Sequence, residues 1–148
     1  MKQRRIDTPV GHLTVTEHDG AIVGIHDGDT ELQSLTPLLR RACDQLLAYF
    51  DGSRREFDVP VSPPGSAFQR RVWNAMRRIP FGTVASYGGV AREIGTGPRA
   101  VGNACAANPV MILIPCHRVL AAGGKIGGYS NLALKRRLLC HEGIILPE

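Results

Sequence analysis

The 148-residue sequence has no closely spaced pair of cysteines and no apolar run of membrane-spanning length. The spacing of its four cysteines argues against a disulfide framework and against a CxxC-type metal site. The basic start of the chain, MKQRR, is not followed by the apolar core of a signal peptide. We therefore expect a cytoplasmic protein without membrane association, whose thiols either pack in a core or carry out chemistry.

Acidic residues are scarce in the second half of the chain. Residues 65–148 contain eleven Lys or Arg and three Asp or Glu, which gives a net charge of +8. Residues 1–64 contain seven Lys or Arg and ten Asp or Glu, which gives a net charge of −3. A basic half favours contact with a polyanion such as nucleic acid. A surface that is merely rich in arginine would carry the same charge, so charge alone leaves both interpretations open.

The first part of the chain predicts a small α/β domain. Apolar and polar residues alternate over 10–16, and the turn signal Asp19-Gly20 separates them from an apolar run at 21–25, so two strands are expected. Apolar residues then recur at helical spacing over 35–50, and Gly52 stops that helix.

The second part of the chain predicts a series of short helices after a proline-rich linker at 52–65. This linker divides the chain into proposed domains at 1–64 and 65–148. Ser66 begins a helix with an apolar stripe from Phe68 to Ile79. Two more short helices follow over 86–108 and are joined by a glycine-containing turn, which is typical of a helix-turn-helix.

The second of these two helices, over 99–107, is almost bare of side chains. It offers only Arg99 and Asn103 among alanine, glycine, valine and cysteine. A helix that reads bases in the major groove carries several long polar side chains, whereas a bare helix is able to enter a widened minor groove. Close packing of the small residues against a neighbouring helix would explain the same composition.

The tetrapeptide Pro115-Cys116-His117-Arg118 suggests nucleophilic chemistry. A sulfur nucleophile must be a thiolate, and a histidine oriented by a carboxylate is able to take the thiol proton. His117 follows the cysteine directly, so a water molecule would bridge them, and Glu142 is the candidate carboxylate. A buried cysteine beside a hydrogen-bonded histidine would give the same pair of residues.

The run from Pro98 to Val119, PRAVGNACAANPVMILIPCHRV, resembles the signature region of the O6-alkylguanine-DNA alkyltransferases. The resemblance extends from Phe68 to Gly143 through FGTVASYGGVA, GGYS and LLCHEG, whereas the N-terminal half matches only in its strand-strand-helix order. It implies an α+β protein with a small N-terminal ribonuclease H-like α/β domain. It also implies a C-terminal winged helix-turn-helix domain.

The resemblance implies single-turnover, irreversible transfer of an alkyl group from O6-alkylguanine in double-stranded DNA to Cys116. His117 would draw the thiol proton through water, and Glu142 would polarise His117. Tyr87 would rotate the 3′ phosphate and protonate the guanine oxygen as it leaves. No metal or organic cofactor is expected. Some relatives hold a structural zinc near the N-terminus, but no cysteine precedes Cys43 here.

The resemblance also implies roles in DNA binding and in the base pocket. Arg99 would fill the gap left when the damaged nucleotide flips out through the minor groove. Its companions on the DNA-binding helix would be Ala100, Gly102 and Asn103. Asn108 would brace the turn before the active-site strand, and Tyr129 and Ser130 would wall the pocket. We expect a monomer, with clustering on DNA left open.

The pocket loop departs from the family pattern. Ser130 is followed by Asn131 and Leu132 where relatives commonly have two glycines, and the segment 129–142 is one residue shorter. Arg137-Leu138 stands where a tryptophan is usual. These changes concern the size of the alkyl group and the acceptance of free bases, and they leave the nucleophile in place.

Three alternatives remain beside alkyl transfer. A lesion-binding relative without transfer would lack the cysteine, and Cys116 argues against it. A winged-helix regulator would need a helix rich in base-reading side chains. A cysteine hydrolase would need a glycine-rich oxyanion loop beside the cysteine. We expect Cys43, Cys105 and Cys140 to have packing roles and to stay unalkylated.

Overall fold

The structure is a computed structural model that describes residues 1–127, 129 and 131–146. It confirms the mixed α+β class. The chain forms two compact units, Met1–Pro64 with Pro109–Leu113, and Gly65–Asn108 with Ile114–Glu148. In the described part of the chain, no helix combines the length and the apolar character needed to cross a membrane.

The first unit contains a three-stranded antiparallel sheet. Its strands are β1 (Lys2–Thr8), β2 (Gly11–His18) and β3 (Ala21–Asp27), in the order β1-β2-β3. β1 was missed because it is mostly polar, and only Ile6, paired with Leu13, is buried. β2 is the central strand, so its two threonines are buried as well as its apolar residues.

Helix α1 (Pro37–Asp51) completes the first unit. The Thr36 hydroxyl accepts from the Leu39 amide at 3.0 Å, and Gly52 ends the helix at a φ of 88°. The expected stop is therefore confirmed. Leu35 was wrongly included in the helix, because it precedes the cap and is exposed.

The segment expected to be a linker also contributes hydrogen bonds to the sheet, at residues 60–62. Ile22 of β3 donates to the Pro60 carbonyl and accepts from the Ser62 amide, both at 2.9 Å. Further along the same strand, Ile25 donates to the Pro109 carbonyl at 2.9 Å. These bonds satisfy part of the β3 edge that β2 leaves unpaired.

The second unit begins with helix α2 (Ala67–Arg77). The capping box predicted at Ser66 is confirmed, with Gln69 as its partner. The predicted apolar stripe did not include Trp73. This residue is almost fully buried, and its Nε1 atom donates to the Ala104 carbonyl at 2.9 Å.

The predicted pair of short helices is confirmed in the second unit. Helices α3 (Tyr87–Ile94) and α4 (Pro98–Ala106) are joined by a turn in which Gly95 has a φ of 78°. The remaining elements are two short parallel strands and a final helix: β4 (Ala85–Ser86), β5 (Val119–Leu120) and α5 (Leu132–His141).

Candidate active site

Cys116 lies on a tight turn. Residues Cys116–Arg118 form one turn of 3-10 helix that leads into β5, where an active-site strand was expected. In a 3-10 turn, successive side chains point in directions about one third of a rotation apart. All three side chains are buried, with Cys116 2% and His117 0% exposed.

The Cys116 thiol is held by Asn108. The Asn108 Nδ2 atom donates to Cys116 Sγ at 2.9 Å and to the Ile114 carbonyl at 2.9 Å. Burial raises the pKa of the Cys116 thiol, whereas Asn108, the charge of Lys135 and hydrogen bonding from Tyr129 lower it. The resting group is therefore a thiol that needs a base, in surroundings that stabilise the thiolate once it forms.

His117 has one ring nitrogen engaged and one available. Its Nε2 atom lies 2.6 Å from Glu142 Oε2, and an ionised carboxylate only accepts, so Nε2 carries the proton. Among the residues that the structure describes, Nδ1 has no hydrogen-bond partner. Burial lowers the pKa of His117, while Glu142 raises it. The neutral ring therefore presents a basic nitrogen.

Glu142 is fixed by a residue that the sequence interpretation gave no role. Arg118 donates from Nε to Glu142 Oε1 at 2.8 Å and from Nη2 to Oε2 at 3.1 Å. The Gly82 amide also donates to Oε1, at 3.2 Å, and Arg118 Nη1 donates to the Ile79 carbonyl at 2.6 Å. Four donors, including the His117 ring, therefore hold the buried carboxylate as an anion.

Lys135 is a second residue that the sequence interpretation missed. It is 0% exposed, and its Nζ atom donates to the Val119 carbonyl at 2.8 Å and to the Tyr87 hydroxyl at 3.4 Å. The signal was present, because Lys135 shares a helical face with Leu138 and Leu139, three and four residues later. A lysine in that position belongs to the buried face of α5.

The expected DNA-contacting residues lie on α3 and α4. Arg99 and Asn103 are exposed on α4, with Ala100 and Gly102 half-buried between them. Tyr87, half-buried, is the first residue of α3. Ser130, predicted in the pocket wall, lies outside the described residues.

The other cysteines differ in their exposure. Cys43 and Cys105 are buried, and burial raises the pKa of both thiols, that of Cys43 to about 11. Cys140 is exposed, so a packing role is wrong for it. It lies on the outer face of α5, since the buried positions of that helix are 134, 135, 138 and 139.

Comparison with known protein families matches both parts of the chain. Residues 67–144 match the 6-O-methylguanine DNA methyltransferase, DNA binding domain. Residues 1–63 match the 6-O-methylguanine DNA methyltransferase, ribonuclease-like domain. Together these two matches include every expected site residue.

Similar proteins come from bacteria and archaea. A methylated-DNA–protein-cysteine methyltransferase of Mycolicibacterium paratuberculosis is 40% identical, covering 96% of this chain and 92% of the relative. One from Methanosarcina acetivorans is 49% identical over 70% of this chain and 69% of the relative. The crystal structure of Mycobacterium tuberculosis OGT in complex with DNA has a TM-score of 0.87 and 41% identity, covering 96% of this chain and 92% of that one.

Proposed function

The chain belongs to the 6-O-methylguanine DNA methyltransferase family, and we propose that Cys116 is the residue on which it accepts an alkyl group from O6-alkylguanine in double-stranded DNA. It is a methylated-DNA–protein-cysteine methyltransferase that repairs DNA directly. The observation that carries the assignment of Cys116 is its neighbour His117. That imidazole is anchored by Glu142 on one nitrogen and is able to receive a proton on the other.

In the proposed reaction, the Cys116 thiol gives its proton to His117 Nδ1 through a water molecule. The sulfur lone pair then forms a bond to the alkyl carbon, and the carbon–O6 bond breaks with its electron pair going to O6. Tyr87 supplies a proton to that oxygen. Glu142, held by Arg118, stabilises the imidazolium. The thioether has no hydrolytic route back to thiol, so each molecule acts once.

The proposed DNA-binding surface is the exposed face of α4 in the 65–148 domain. A base inside the stack hides its O6 atom, so the nucleotide must first leave the duplex, at a cost of a few kcal/mol. Arg99 would fill the gap from the minor groove. Ala100 and Gly102 are the bare positions that would allow close approach, and the exposed Asn103 would be a further contact.

The proposed pocket is bounded by Asn108, Tyr129 and Ser130. Asn108 contacts the sulfur directly, and the Tyr129 side chain lowers the pKa of the same thiol. We place the protein in the cytoplasm, acting on nucleoid DNA as a monomer that needs no cofactor.

A mass measurement tests this function. The protein is incubated with duplex DNA that holds one O6-methylguanine and is then digested. The Cys116 peptide should gain one methylene unit, because methyl replaces the thiol hydrogen. Cys116→Ala should abolish transfer and still bind the duplex, whereas the matched variant Cys140→Ala should transfer normally, since Cys140 is exposed away from the site. An unmodified Cys116 peptide beside an alkylated one elsewhere would overturn the assignment.

A further inference from the structure

We propose that Arg92 binds a phosphate of the damaged strand close to the lesion; this rests on the proposed transfer of an alkyl group to Cys116. Arg92 lies on helix α3, whose first residue is Tyr87. The contact would hold the strand that carries the lesion at the start of this helix. It adds a cation to the expected DNA-binding residues.

The guanidinium group of Arg92 lies over the first turn of its own helix. Gly88 and Gly89 stand four and three residues before Arg92, on the same side of α3. A Cβ atom added at Gly88 would lie 3.4 Å from Arg92 Nη1, and one added at Gly89 would lie 3.9 Å from Nη2. Because neither glycine has a side chain, the cation lies directly beside the main chain that follows Tyr87.

Among the described residues, no carboxylate forms an ion pair with Arg92. Residues 65–148 contain only three acidic residues. Glu93 pairs with another arginine, and Glu142 is buried in the candidate active site. The third, Glu148, lies outside the described residues. The exposed guanidinium of Arg92 therefore keeps its N–H donors for an anion from outside the protein.

The neighbouring Tyr87 indicates which anion is bound. Its hydroxyl accepts a hydrogen bond from Lys135 at 3.4 Å, and the charge of that lysine acts on the Cys116 thiol. The phenol therefore lies near the reacting atoms, where a flipped base has to arrive. A nucleotide that leaves the duplex turns about its own backbone, so the phosphates beside it stay close to the pocket. The cation next to Tyr87 is placed to meet one of them.

A phosphodiester suits this side chain. A guanidinium group binds phosphate oxygens through parallel N–H donors, which gives both charge attraction and a fixed geometry. Contacts to phosphates position a protein on the duplex without reading the base sequence. A contact of this kind would serve a lesion in any sequence.

A mutant cycle between protein and DNA tests the contact. Duplexes carry one O6-methylguanine and, in turn, one uncharged methylphosphonate at each linkage around the lesion, on either strand. Binding is titrated in a Cys116→Ala background, so that transfer does not change the DNA during the measurement. At one linkage of the damaged strand, the uncharged group should weaken binding about tenfold when Arg92 is present. In Arg92→Ala the same group should weaken binding about twofold or less.

Salt dependence and rate give two further readouts. Arg92→Ala should make the slope of log affinity against log salt concentration shallower by about one. With Cys116 restored, its single-turnover rate at saturating duplex should stay within about threefold of normal, because the loss is one of binding. A purely structural defect would lower the rate at saturation as well.

Two variants serve as controls. Arg92→Lys keeps the charge without the planar fork, and it should recover part of the affinity and of the sensitivity to the same linkage. Arg136→Ala removes an equal charge from the exposed face of α5 and should keep the full tenfold sensitivity at that linkage. Thermal unfolding should be unchanged in every variant, since these side chains are exposed.

Two results would overturn the contact. In one, Arg92→Ala keeps the original sensitivity at every linkage; in the other, the linkage that loses its sensitivity lies on the undamaged strand. Either result leaves the proposed transfer to Cys116 standing. Failure of the unsubstituted protein to methylate Cys116 would instead overturn the transfer, and the binding titrations would still report on Arg92.

Discussion

Arg118 and Glu142 form a bidentate ion pair inside the second unit, with Nε 2.8 Å from Oε1 and Nη2 3.1 Å from Oε2. Both residues are only 5% exposed. The carboxylate also receives the His117 Nε2 hydrogen, so the guanidinium fixes the anion that fixes the imidazole. The orientation of the proposed base therefore depends on Arg118 through the carboxylate that both side chains share.

Replacing Arg118 with Met should destabilise the fold strongly. The substitution leaves the Glu142 carboxylate buried without its cation, and breaking a buried pair in this way costs about 3–5 kcal/mol. Chemical denaturation measures the free energy of unfolding. The matched control is Arg78→Met, which breaks an exposed pair with Glu93 and should cost less than about 1 kcal/mol. Equal losses of unfolding free energy in the two variants would show that the buried pair stabilises the fold no more than the exposed pair does.

The stability of the protein should fall in mild acid because of His117. Burial lowers the pKa of His117 below its ordinary value of 6.5. As the pH falls below 6.5, the unfolded chain binds a proton there while the folded protein does not, so the free energy of unfolding decreases. One such group contributes at most about 1.4 kcal/mol per pH unit.

Denaturation from about pH 7 to about pH 5 tests this contribution. His117→Asn should make the decrease in the free energy of unfolding with falling pH less steep. Glu142, Arg118 and Lys135 still face the site in this variant. The matched variant His26→Asn, on an exposed histidine, should leave the decline unchanged. A His117→Asn protein with the original slope would contradict the assignment.

Gly127 should be required for the position of Tyr87. A Cβ atom at Gly127 would lie 2.7 Å from Tyr87 Cε2 and 2.8 Å from its hydroxyl, closer than real contacts allow. Gly127→Ala should therefore displace the phenol and slow single-turnover transfer. Gly123→Ala is a matched control, because its φ of 74° is close to the 70° of Gly127 and its Cβ would meet open space. Similar transfer rates for the two variants would show that transfer does not depend on the position of the Tyr87 phenol.

Local signals in the sequence predicted the helices well. The cap at Ser66 and the stop at Gly52 depend on the chemistry of single turns and were correct. Strand β1 was missed because six of its seven residues are not buried, and it forms by pairing with β2. A strand that is held mainly by pairing with its neighbour, and buries only one side chain, shows no alternation of apolar and polar residues.

The proposed nucleophile and its base were found from one tetrapeptide and a resemblance, but their supports were not. Arg118 and Lys135 are charged residues that are buried. Because charged residues are usually exposed, the sequence alone gave no reason to place them in the site. Their partners lie 24 residues away in the case of Glu142 and 48 in the case of Tyr87. Only the folded chain brings these groups together.

Arg99→Ala should slow transfer in duplex DNA far more than transfer from a free modified base. Arg99 is exposed on the first turn of α4, and the energy of holding a nucleotide outside the duplex, a few kcal/mol, is needed only where the base starts in a stack. At saturating duplex we expect a loss of about 100-fold in the single-turnover rate, against about threefold or less with O6-benzylguanine.

The matched control for Arg99 is Arg136→Ala, which removes an equal charge from the exposed face of α5. Removing an arginine that only attracts phosphates lowers the affinity for DNA and its salt dependence, and saturating DNA restores the rate. The Arg136 variant should therefore show a normal rate once the duplex is saturating. If Arg99→Ala behaves in the same way, or loses equally on duplex and free base, Arg99 does not fill the gap left by the flipped nucleotide, and α4 contacts DNA only through charge.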